Sequence, residues 1–168
     1  MGHPHPGEMV RLLAQRYAGK LDGPSARATR IPVNHYTDQA HFEREREKLF
    51  LQRPLILAHE TQIPSAGDAI VQDWMGLPVV TVRDALGEIN SFLNVCRHRG
   101  MRLVQEQGQT RLRAFVCPYH QWTYGLDGGL RNIPRAESFL DIDKSGMGLV
   151  PLPTAVRNGL IWIQFTPG

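Results

Sequence analysis

NVCRHRG at 94–100, followed by CPYHQWTY at 117–124, decides how this chain is read. The first stretch brings Cys96 and His98, the second Cys117 and His120, and these are the only two cysteines in 168 residues. Two thiolates and two imidazoles offered from two short segments make a metal-ligand set. The spacing bears on what kind of metal site it is. A mononuclear zinc knuckle usually separates its paired ligands by two or more residues, so that both side chains can turn onto one ion. Only Arg97 stands between Cys96 and His98. Such a tight pair suits a binuclear centre, in which each loop gives its Cys to one metal and its His to the other. Gly100 and Pro118 are residues that shape loops, and strand-like runs precede both segments. The alternatives are a structural zinc site, or cysteines and histidines buried for packing alone.

Two Cys and two His are the ligands of a Rieske [2Fe-2S] centre, where two His replace two Cys on one iron. Cys96, His98, Cys117 and His120 are therefore the expected cofactor-binding and metal-binding residues, with the thiolates on the buried iron and the imidazoles on the outer one. No residue of this chain is expected to be catalytic. The two segments, LDGGL at 126–130, Tyr36-Thr37-Asp38 opening a Glu/Arg-rich helix, and IPSAGD at 63–68 extend the match. Together they resemble the alpha (oxygenase) subunit of Rieske-type aromatic ring-hydroxylating oxygenases over residues 30–168. There is one departure: the family usually has Gly after the second ligand His, and here Gln121 stands there.

The resemblance implies a fold and a circuit. The fold is mainly β, with Rieske-type antiparallel sheets carrying two cluster-binding loops, preceded by an N-terminal helical extension; residues 1–52 are the extension and 53–168 the cluster domain. Electrons arrive from a reductase or ferredoxin and leave to a mononuclear Fe(II) in the catalytic domain of a neighbouring alpha subunit, within a trimer of the full-length protein. The family holds that iron with two His on one helix and a carboxylate from farther along, a pattern this sequence does not contain. His35, Asp38 and His41 lie close together but do not reproduce it and read as surface groups. The catalytic domain is thus expected to be absent, and oxygenation by this polypeptide alone is not expected. A stand-alone Rieske ferredoxin-like carrier is the alternative, which the N-terminal extension argues against.

Cysteine count separates this resemblance from the Rieske proteins of cytochrome bc complexes, which resemble one another in a disulfide between the cluster loops and so need four cysteines. Those proteins also place a hydroxyl residue after the second His, where Gln121 and Trp122 stand here. Fewer donors to sulfur stabilise the reduced cluster less. The expected potential therefore lies toward the low end of the Rieske range of about −150 to +300 mV.

Composition agrees with a globular protein, since 42% hydrophobic residues can bury a real core. No apolar run is long enough to span a membrane, and the N-terminus lacks a charged stretch followed by an apolar one, so a cytoplasmic protein without a membrane partner is expected. A net charge of +3, carried by arginines scattered among acids, makes nucleic acid an unsuited partner. Residues 1–7 read as a flexible tail in which His3 and His5 are solvated. Helical spacing runs over 9–17, a connecting loop over 19–32, and a second helix over 38–51 with Thr37 as N-cap and an alternating-charge outer face. Arg97 and Arg99 flank a ligand His and are expected to raise the local potential, while Tyr119 and Trp122 shield the site. From residue 53 onward β signals dominate. Hairpins are expected at 78–95 around Asp84, at 122–133 around Asp127-Gly128-Gly129, and at 155–165 around Asn158-Gly159; a strand over 112–116 leads into Cys117.

Overall fold

The computed structural model describes residues 6–19, 30–139 and 142–165. The tail histidines His3 and His5, and most of the connecting stretch expected over 19–32, lie outside the described residues. The chain forms two compact units, Met1–Asp38 and Gln39–Gly168. In the first, α1 (Pro6–Tyr17) begins before the residue-9 start that apolar spacing suggests, and Glu8 in its first turn suits the positive end of the helix dipole. A four-residue helix, α2 (Asn34–Thr37), also belongs to this unit. Thr37 does not cap the next helix. It closes α2, and its hydroxyl donates to the Val33 carbonyl at 3.3 Å.

The second unit opens with α3 (Gln39–Glu45), which continues into one π-helical turn over Arg46–Phe50. The wider turn is closed by the Leu51 amide donating to the Arg46 carbonyl. Arg46 itself donates to the Met75 carbonyl at 2.9 Å, which ties this helix to the β structure. The strands are β1 (Leu55–His59), β2 (Asp68–Trp74), β3 (Leu77–Arg83), β4 (Ile89–Leu93), β5 (Gly108–Arg111), β6 (Phe115–Val116), β7 (Thr123–Tyr124), β8 (Leu130–Asn132), β9 (Pro151–Leu152), β10 (Thr154–Arg157) and β11 (Leu160–Ile163). They make antiparallel sheets in the orders β5-β2-β3-β4-β9, β1-β11-β10 and β6-β7-β8.

All three expected hairpins form. Asn158 and Gly159 both have positive φ, 53° and 77°, as a two-residue turn with the twist of its strands requires. Asp84 organises the β3–β4 turn by accepting the Leu86 and Glu88 amides at 2.9 Å each. The strand expected over 112–116 is shorter: only Phe115 and Val116 pair with β7, and the Leu112 amide instead donates to the Gly67 carbonyl. Strand β2 carries no clean alternation because both of its faces are buried, Ala69 and Val71 in one core and Ile70 in another.

The five-stranded sheet is the middle layer. On one face Val71, Val80, Val82 and Phe92 pack with Phe115, Trp122, Tyr124 and Leu130 of the β6-β7-β8 segment. Val79, on the opposite face, packs with Leu152, Ile163 and Phe165, and Ile70 packs with Ile63 and Ile161. Burying each such side chain stabilises the fold by about 1.5–3 kcal/mol. The small β6-β7-β8 sheet is thereby held firmly against the larger one. Gly128 sits at the contact: its φ is 82°, and a Cβ there would lie 2.4 Å from the Phe92 ring.

Candidate metal centre

The two Cys/His segments fold into the same turn. In the first, the Cys96 amide donates to the Met101 carbonyl at 2.8 Å and the Gly100 amide returns to the Cys96 carbonyl at 3.0 Å. In the second, the Cys117 amide donates to the Trp122 carbonyl and the Gln121 amide to the Cys117 carbonyl, both at 2.9 Å. The fourth residue after each Cys takes the left-handed conformation, Gly100 at φ 72° and Gln121 at φ 57°. Gln121 therefore keeps the turn in the shape that Gly keeps in its counterpart, at the cost of a conformation that L side chains disfavour.

This turn brings the four expected residues together in pairs. Cys96 and Cys117 are 2% and 1% exposed, and the neighbouring Cys117 thiol adds to the upward shift of the Cys96 pKa. The His98 and His120 rings are half-buried, with centroids 4.7 Å apart. The Nδ1 atom of each ring is buried and has no hydrogen-bond partner. Buried polar atoms are nearly always paired, so two orphans side by side mark a place for a ligand. Among the described residues, no three His, Cys, Asp or Glu side chains converge as they would on a single ion. A thiol pair beside an imidazole pair fits a binuclear cluster of the Rieske type. His41, weighed above as an iron ligand, instead approaches Glu45 at 3.2 Å and Arg44 at 3.3 Å.

Aromatic rings cover the pair. Trp122, 1% exposed, stacks on His98 with centroids 4.7 Å apart and planes 3° off parallel, and Phe139 meets His98 edge-on at 5.7 Å. Tyr119 lies over His120 at 3.7 Å, although it stays largely exposed. Arg97 and Arg99 are exposed, and Arg99 lines a groove of about 670 Å³ with His98, His120 and Arg135. Burial holds the His98 imidazole below its ordinary pKa, with the nearby His120 and Arg99 acting in the same direction. Burial also pushes the Cys96 thiol up, a trend that a Tyr124 hydrogen bond opposes.

Tyr124 is the site residue that local spacing did not reveal. It is fully buried, its hydroxyl accepts the Arg97 amide at 3.1 Å, and it lies 3.3 Å from Cys96 Sγ. The contact spans 28 residues of sequence. The only hint in the sequence is a Tyr two residues past the buried Trp122 on a strand, where alternation does not announce a polar role.

Comparison with known proteins agrees with this geometry. The chain is 41% identical over 141 residues to the biphenyl 2,3-dioxygenase alpha subunit of Rhodococcus jostii (strain RHA1), covering 83% of this chain and 30% of that protein. It is 33% identical over 137 residues to the carnitine monooxygenase oxygenase subunit of Escherichia coli (strain K12), covering 82% of this chain and 36% of that one. The crystal structure of naphthalene 1,2-dioxygenase from Rhodococcus sp. superposes with a TM-score of 0.75 at 34% identity, over 81% of this chain and 31% of that one. The chain thus spans about a third of the length of these relatives. The family model for the Rieske [2Fe-2S] domain matches residues 53–153, a stretch that takes in both turns and more than half of the sequence. On that match, and on the paired ligand chemistry that the two turns assemble, the chain belongs to the Rieske [2Fe-2S] domain family.

Proposed function

We propose that this chain is the electron-transfer portion of an aromatic ring-hydroxylating oxygenase alpha subunit, with its cluster held by Cys96, Cys117, His98 and His120. In this reading residues 53–168 are the cluster domain and 1–52 the extension leading into it. The observation that carries it is two buried, unpartnered Nδ1 atoms and two buried cysteines, brought by a pair of matched turns. Cys96 and Cys117 suit the buried iron, and His98 and His120 the iron nearer solvent. When bound, the cluster supplies reversible one-electron transfer.

The chain's own residues set the conditions for that chemistry. A lowered pKa keeps His98 neutral, with a lone pair available to a metal. Because the Arg97 amide occupies one lone pair of the Tyr124 hydroxyl, the phenolic proton is free to point at Cys96 Sγ. Trp122 and Phe139 keep water from one flank of His98, while Tyr119 covers His120. Exposed Arg97 and Arg99 give the nearby surface positive potential, which favours an acidic partner.

The donor in this reading is a reductase or ferredoxin, and the acceptor a mononuclear Fe(II) in the catalytic domain of a neighbouring alpha subunit. That the relatives are named as subunits supports partners of this kind. A cytoplasmic location goes with it, because a reducing compartment leaves both thiols available to iron.

Iron and acid-labile sulfide analysis, with absorption and electron paramagnetic resonance (EPR) spectra of the reduced protein, tests the proposal. Iron and sulfide in equal amounts, two of each per chain, are expected. A colourless protein carrying zinc would overturn it.

A further inference from the structure

We propose that Asn94 is a positioning residue for the cluster, its buried amide standing in for a strand that the first loop lacks. The inference rests on the reading above, in which Cys96 and His98 are ligands, and concerns how this chain holds them in place.

The two turns match, but their supports differ. Residues 117–122 join β6 to β7, so the second turn closes a continuous ladder in which Val116 pairs with Thr123 and Phe115 with Tyr124. The first turn leaves β4 and returns along residues 101–107, which form no strand. Its backbone rungs are the isolated bridge between Val95 and Arg102 and the Cys96-to-Met101 hydrogen bond. The chain then crosses to β5, at the far edge of the sheet from β4, with β3 and β2 between them. Backbone pairing with a neighbouring strand is therefore unavailable to the returning limb.

Asn94 supplies the missing rung. Its backbone amide donates to the Pro78 carbonyl at 2.8 Å, which fixes it to the end of β3. Its side-chain Nδ2 donates to the Val104 carbonyl at 2.8 Å, and its Oδ1 accepts the Val104 amide at 3.0 Å. These reciprocal bonds are those a peptide group makes in a ladder, here made by a side chain that is 0% exposed. A buried amide satisfied on both sides holds its partner firmly, because leaving either group unpaired away from water is unfavourable. Asp73 on β2 steadies the limb on either side of Val104, pairing with Arg102 and accepting from Gln107 at 2.9 Å. The reciprocal side-chain-to-backbone tie, made two residues before Cys96, belongs to Asn94 alone among the described residues.

Replacing Asn94 by Ala removes both bonds. Replacing it by Asp keeps the shape but sets a carboxylate oxygen against the Val104 carbonyl. Both variants are expected to fold. The amides of Cys96, Gly100 and Val104 should exchange with deuterium at least tenfold faster, while those of Cys117 and Gln121 keep their wild-type rates. In loaded protein, iron release to a chelator should quicken by a similar factor, and the EPR lines of the reduced cluster should broaden. Asn158→Ala serves as the control, since it strains a distant turn and lowers global stability without touching either loop. If Asn94→Ala and Asn94→Asp leave exchange in the first loop at the wild-type rate, or speed both loops equally as the control does, the proposal is overturned. Unchanged EPR lines and iron release, despite faster exchange, would overturn the cluster-positioning role. Wild-type protein without iron and sulfide would overturn the ligand assignment instead, and the exchange rates would still decide whether the clamp exists.

Discussion

The Tyr124 hydroxyl lies 3.3 Å from Cys96 Sγ while accepting the Arg97 amide at 3.1 Å, so one buried phenol braces the first cluster loop from the strand that leaves the second. This contact bears on the redox behaviour expected from the sequence. No hydroxyl residue follows His120 directly, yet the Tyr124 hydroxyl reaches the Cys96 sulfur from two positions past Trp122. A donor to sulfur favours the reduced, more negative cluster.

Tyr124→Phe should therefore lower the midpoint potential. A loss of about 1.4 kcal/mol in differential stabilisation corresponds to about 59 mV for one electron. Redox titration followed by EPR checks this, and a potential unchanged or raised by the substitution would show that the phenol does not donate to the sulfur.

Gln121→Gly should stabilise the protein. Left-handed backbone disfavours a side chain by about 1–2 kcal/mol, and the added freedom of Gly in the unfolded chain offsets roughly half of that. The melting temperature should rise by about 1–4 °C. Gly100→Ala makes the opposite change at the matching position of the other turn, where a Cβ would meet no atom within 4 Å, so backbone conformation alone is at stake. With the same offset, it should lower stability by about 0.5–1 kcal/mol, measurable by urea unfolding.

Gly128→Ala should be more damaging, because strain and overlap act together. Its φ is 82°, and the new Cβ would fall 2.4 Å from a Phe92 ring atom. A loss of about 2–4 kcal/mol is expected. If the variant melts within a degree of wild type, the packing of the β7–β8 turn on the large sheet is looser than described.

Acid should weaken the metal-free protein partly through His98. Its folded pKa lies below the ordinary 6.5, so the unfolded chain binds more protons as the pH falls below that value. Stability from this group is complete above pH 6.5 and declines as the pH drops toward the folded pKa. His98→Gln should flatten that part of the curve of melting temperature against pH, and a curve superposing on wild type would count against the assignment.

Much of the site was legible because its chemistry is local. Cys96 with His98, and Cys117 with His120, are each confined to a few residues, and the choice of soft thiolate and imidazole constrains the metal whatever the fold. The hairpins around Asp84, Asp127-Gly128-Gly129 and Asn158-Gly159 were legible for the same reason, since turn chemistry acts within a few bonds. Strand β2 was harder to see, because burial on both faces erases the alternation that reports a half-buried strand. Thr37 was misplaced because a short helix, α2, ends on it, and the sequence shows only one helix start nearby.

By itself, the sequence determined which atoms can bind a metal and where the chain must turn, because ligand identity and turn conformation depend on neighbouring residues. Tertiary structure decided what surrounds those atoms. Tyr124 meets Cys96 across 28 residues, and Asn94 meets Val104 across 10. The left-handed Gln121 can be matched with Gly100 only once both turns are folded. Such contacts follow from how the sheets stack, which no run of neighbouring residues specifies.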